Sequence, residues 1–112
     1  MKFVLLYYYD PATAGPTEDE VADWIAFDQA TKDADVFVYE AGFHPATTAQ
    51  TVSVRDNQVA VEPGAVTRTG NVLAGFYILE VSAIDAALDW AQRIPTAKYG
   101  KVEIRPIVEF SA

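Results

Sequence analysis

Two stretches of the chain are apolar at consecutive positions, and this rules out most ways of folding it. Phe3-Val4-Leu5-Leu6-Tyr7-Tyr8-Tyr9 and Phe76-Tyr77-Ile78-Leu79 read as β-strands with no polar face. A half-exposed strand alternates apolar and polar residues, and these do not. Each therefore needs cover on both sides of its sheet. Both runs are too short for a membrane helix, which takes ~20 apolar residues. The first run has the outline of a short signal peptide behind Lys2, but three of its residues are Tyr and Asp10-Pro11 ends it. A buried strand explains it better, and the expectation is a cytoplasmic protein.

Around these strands the pattern predicts two helices. Thr17 stands three residues before Glu20, the spacing of a capping box, and Glu18, Asp19 and Glu20 suit a helix N-terminus. The helix runs to about Ala34, with Val21, Trp24, Ile25 and Phe27 as its buried stripe. A second helix begins after Ser82 and buries Ile84, Ala87, Leu88, Ala91 and Ile94 ahead of Pro95. Val36 to Glu40 and Val102 to Val108 read as further strands. Between the halves, Thr51–Arg55 and Val59–Val61 alternate valine with polar residues, with Val52 and Val54 turned inward. Asp56-Asn57 joins them as a hairpin turn, because both residues tolerate positive φ.

The order β-α-β, hairpin, β-α-β is the split βαβ plan of an α+β ferredoxin-like fold, with an inserted hairpin and both helices on one face of an antiparallel sheet. The 112 residues make one domain, 1–112, large enough to bury about 65% of the unfolded surface. The second sheet face stays apolar. Packing it on a twin subunit removes it from water, so a homodimer of the dimeric α/β-barrel type is expected. The alternative is the hairpin folding back over that face.

Composition narrows the chemistry. There is no Cys and only one His, so disulfides, thiolate metal sites and a multi-histidine site within one subunit are excluded. The sequence holds no phosphate-binding or dinucleotide loop, and no cofactor is expected. A net charge of −8 disfavours nucleic acid and anionic membrane surfaces as partners. His44, in Gly42-Phe43-His44-Pro45 at a strand end, titrates near neutrality without help. As a general acid–base it needs an orienting carboxylate, for which Glu40 and Glu62 are the candidates. Tyr7, Tyr9, Trp24 and Tyr77 can line an apolar pocket or simply fill the core. Arg68 can grip a carboxylate or phosphate, or sit at the surface. Asp28 falls at the edge of the first helix's stripe or reaches a cavity.

Several segments resemble the DGPF type of YCII-related protein. Leu73-Ala74-Gly75-Phe76-Tyr77-Ile78-Leu79-Glu80 is similar to the family's Leu-Gly-Gly-Phe-Tyr strand. Ala86-Ala87-Leu88-Asp89-Trp90-Ala91-Gln92-Arg93-Ile94-Pro95 and Tyr99-Gly100-Lys101-Val102-Glu103-Ile104-Arg105-Pro106-Ile107 resemble its second helix and last strand. Gly42-Phe43-His44-Pro45, with Thr47-Thr48 and Thr51-Val52, resembles its Gly-Leu-x-Pro segment and Thr-rich strand. The resemblance implies a bacterial ferredoxin-like dimer of largely unassigned biochemical role, with relatives that partner extracytoplasmic-function sigma factors. The namesake Asp-Gly-Pro-Phe-Ala-Glu-Thr-Lys falls at Pro63-Gly64-Ala65-Val66-Thr67-Arg68-Thr69-Gly70, where only Gly64 and Thr69 persist. A proton-transfer role for its Asp does not carry over. Two functions follow as expectations: a small-molecule cleft near His44, catalytic or binding, and a protein-interaction module linked to sigma-factor regulation.

Overall fold

Residue alternation along two central strands sets the architecture. The computed structural model describes residues 1–110. Its main sheet is antiparallel, ordered β2 (Phe37–Gly42), β5 (Val72–Glu80), β1 (Lys2–Tyr9), β6 (Lys101–Pro106). Helices α1 (Glu20–Asp33) and α2 (Ile84–Ala91) lie on one side. This α+β arrangement is consistent with the ferredoxin-like plan. Between β2 and β5 in the chain, β3 (Gln50–Arg55) and β4 (Gln58–Pro63) pair with each other as a separate two-stranded sheet.

The core lies between the helices and one sheet face. Phe3, Leu5 and Tyr7 of β1 and Tyr77 and Leu79 of β5 are buried there against Phe27, Ala87, Ala91 and Ile94. Pro95 and Thr96, in a 3-10 turn after α2, are buried as well. Val4, Leu6 and Tyr8 point the other way, as do Phe76 and Ile78, and all five are only half-buried. The strands are thus apolar on both faces, and helices cover one of them. On the bare face the aromatic contacts are Tyr39 and Phe43 against Phe76, at 6.2 and 6.0 Å.

Several local expectations are corrected. Helix α1 starts at Glu20 rather than Thr17, and its N-cap, Asp19, makes no side-chain bond. Thr17 supplies only its carbonyl, to the Glu20 N–H at 3.1 Å. Val21 and Ile25 are exposed, because the packed stripe runs through Trp24, Phe27 and Thr31. The Thr31 hydroxyl satisfies itself on the Asp28 carbonyl at 2.7 Å, so a polar residue fills a core position. Ala83 rather than Ser82 caps α2, and Ile84 and Leu88 stay exposed. Strand β2 runs two residues further than its apolar pattern, because Ala41 and Gly42 extend the ladder with Phe76 and Gly75. The last strand ends at Pro106, not Val108.

The largest departure concerns the valines. Asp56 and Asn57 turn the β3–β4 pair with φ of 50° and 65°. Val52 faces Val61 and Val54 faces Val59, which puts all four on one face. They are 53–67% exposed, so the described residues of the chain do not bury that face.

The molecule is flat and open for its size, 47 × 43 × 18 Å with a radius of gyration of 15.9 Å. A folded chain of this length has a radius of about 13 Å. Its surface of 7753 Å² exceeds by about 1,700 Å² what a monomeric globular protein of 12.2 kDa exposes.

Candidate functional site

A broad hollow opens on the bare face of the sheet. Tyr8 and Leu73, paired across β1 and β5, form its floor. The end of β2 and the turn after it, Gly42 to Ala46, form one wall. Ala65, Val66 and Thr67 form the other, with Thr48 and Ala49 between. Its volume is about 600 Å³, within the range of small-molecule sites. The lining is mostly aliphatic and aromatic, and His44 is its one imidazole. Local chemistry builds it. Gly42 ends the strand, the Phe43 N–H is held by the Ala74 carbonyl at 2.8 Å, and Pro45 starts a 3-10 turn, Ala46–Thr48. The Thr48 hydroxyl donates to the Pro45 carbonyl at 2.7 Å and closes that turn.

His44 reaches this hollow, but its candidate partners lie elsewhere. Glu62 pairs with Arg68 at 3.6 Å, both largely exposed. Arg68 also donates from Nε to the Ala65 carbonyl at 3.1 Å and folds back beside Gly64, whose φ is +92°. It borders a smaller hollow of about 260 Å³ with Ala46, Thr47, Pro63 and Gly64. Glu40 sits opposite Tyr77 in the ladder, on the helix side. No ion pair among the described residues engages His44.

The other candidates gather under α1. Tyr7 packs on Trp24 at 5.0 Å, Trp24 stacks on Tyr77 at 6.1 Å, and Phe27 meets Tyr77 edge-on at 4.9 Å. Tyr9 meets Tyr99 edge-on at 5.8 Å. Tyr7 and Tyr77 are buried in these contacts, and Tyr9 and Trp24 are partly exposed. The Tyr77 hydroxyl donates to Asp28 at 3.0 Å, and Lys32 pairs with the same carboxylate at 2.8 Å. Lys32 first, and Tyr77 with it, hold the Asp28 carboxyl below its usual range against the opposing effect of burial. Burial, then Asp28, pushes the Tyr77 phenol up. Burial, with Glu40 and Glu20 nearby, raises the Tyr7 phenol to about 12. Glu20 accepts from Trp24 Nε1 at 3.2 Å and from the Tyr99 hydroxyl at 3.1 Å, tying α1 to the turn after α2. Burial and Glu20 raise the Tyr99 phenol to about 12.

Sequence reasoning missed the floor of the hollow, Tyr8 and Leu73. The signal was present, since both belong to the strands that are apolar on two faces. It also missed Glu20 and Asp28 as acceptors for Trp24, Tyr99 and Tyr77. The i,i+4 spacing of Glu20 and Trp24 was the available clue. Among the described residues no three His, Asp or Glu side chains gather as metal ligands, and no helix is long and apolar enough to cross a membrane.

A comparison with curated proteins finds no match. The model of one protein family does match, the YCII-related domain, over residues 1–111. With nearly its whole length covered, the chain belongs to the YCII-related family.

Proposed function

We propose that this chain is a homodimeric binding protein that holds a small, largely apolar molecule in the cleft beside His44. The observation that carries the reading is the cleft itself: about 600 Å³, apolar, with one imidazole at its rim. Such a site takes an apolar body and fixes its orientation through a single hydrogen bond. Binding is favoured over turnover because no carboxylate among the described residues pairs with His44 to orient it. A general acid–base needs that partner. The surface excess of about 1,700 Å² supports the dimer, because obligate homodimers bury about 1,000–2,500 Å² per partner.

The test is a thermal-shift screen of small carboxylic acids, phenols and lactones on the parent chain, repeated on His44→Ala and Leu73→Trp. Ligands that stabilise the parent should lose most of their effect in both variants. Hits that shift all three proteins equally would place binding outside this cleft and end the reading.

A further inference from the structure

The four valines of the β3–β4 hairpin are the feature that neither the core nor the cleft explains. They form two cross-strand pairs on one face, Val52 with Val61 and Val54 with Val59, and each is more than half exposed. Among the described residues the hairpin strands pair only with each other. Its root is fastened locally: the Gly64 N–H donates to the Ala49 carbonyl at 2.7 Å, and the Thr51 hydroxyl donates to the Gly64 carbonyl at 2.8 Å. A two-stranded ribbon is marginal in water unless its apolar face rests on something.

We infer that this hairpin is an arm that lies across a second copy of the chain and closes that copy's His44 cleft, so that each site is built from two subunits. The inference rests on the small-molecule reading of the cleft and adds to it the origin of its missing side. Three observations select a second copy as the occupant. The single chain exposes about 1,700 Å² too much surface, enough for a large interface with its twin. The cleft opens on the bare face of the sheet, with Tyr8 and Leu73 as its floor, so whatever covers that face also roofs the cleft. Val66 on the cleft wall and Phe43 opposite are 86% and 48% exposed, which gives the valine face an apolar surface to land on. Strands of six residues reach about 20 Å from their root, about the thickness of the body they must cross. A two-fold axis repeats the contact twice, each arm on the other copy's cleft.

The chain has no native cysteine, so single cysteines report cleanly. Chains carrying Val54→Cys and Val66→Cys are mixed and treated with a short flexible bismaleimide. A covalent dimer joining the two different variants is expected. In parallel, Val52→Thr/Val61→Thr and Val54→Thr/Val59→Thr keep strand-compatible side chains. They should weaken dimerisation about tenfold or more by sedimentation equilibrium while leaving the circular dichroism of the main fold unchanged. A dimer that forms no mixed cross-link, and whose affinity the threonine variants leave unchanged, would overturn the arm. A blank small-molecule screen with the cross-link intact would remove the ligand reading and leave the arm standing.

Discussion

Gly75→Ala tests the packing of the central sheet at its tightest point. Gly75 lies in β5 opposite Tyr7 of β1 and Gly42 of β2. A methyl group there would collide with the Tyr7 hydroxyl and stand 2.5 Å from both Tyr7 Cζ and the Ala41 carbonyl oxygen. The tyrosine ring is 7% exposed and boxed in by Trp24, and the carbonyl belongs to the ladder, so neither yields freely. Overpacking of this kind costs about 1–3 kcal/mol. With two obstacles the upper end applies, offset by about 0.5–1 kcal/mol from alanine's smaller backbone entropy loss. The expected net loss is about 2 kcal/mol, or about 8–10 °C in Tm for a chain of this size. Urea unfolding of Gly75→Ala, Tyr7→Leu and the double variant checks the cause as well as the size. In the Tyr7→Leu background the alanine should cost at least about 0.5 kcal/mol less, because the ring it strikes is gone. A Gly75→Ala protein within about 0.5 kcal/mol of the parent, or a double variant showing plain additivity, would refute the assigned clash.

Three further outcomes follow from named contacts. Asn57→Ala should loosen the β3–β4 turn by about 1 kcal/mol, because φ is 65° there and alanine resists that region; amide exchange across residues 50–63 should speed up, and Asn57→Gly should not share the effect. Asp28 has a lowered folded-state pKa, so its contribution is complete above the usual carboxyl range and is lost as pH falls through the folded value. The parent's advantage over Asp28→Asn, followed by denaturant unfolding between about pH 7 and 2, should shrink toward the acid end. Tyr7 has a raised pKa, so its contribution is complete below about 10, the unfolded value, and is lost as pH climbs through about 12. Tyr7→Phe should flatten that part of an alkaline Tm profile, and an unchanged slope would count against burial as the cause.

The parts of the fold most legible in the sequence were those with long, unambiguous apolar runs. Strands β1 and β5 hold no charged residue between Phe3 and Tyr9 or between Val72 and Leu79, and their central place in the sheet follows from that. Helix periodicity was less informative. It drew Val21 and Ile25 into the stripe of α1, where the structure buries Thr31, because a hydroxyl bonded to its own helix backbone behaves as core. Alternation in the valine hairpin marked one apolar face correctly but could not say what covers it. At the candidate site, the Gly-Phe-His-Pro segment pointed to a cleft wall because a strand ends there. The pairing of Glu62 with Arg68, and the position of Glu40 on the helix side, depend on register and loop path. One residue's shift reverses those faces, and sequence spacing does not fix it.

Sedimentation equilibrium of the unmodified chain at micromolar concentration addresses the account most directly. A sheet bare on one side, and an open shape with about 1,700 Å² of surplus surface, predict a mass twice the 12.2 kDa of the single chain. A stable species of 12.2 kDa at that concentration would contradict it.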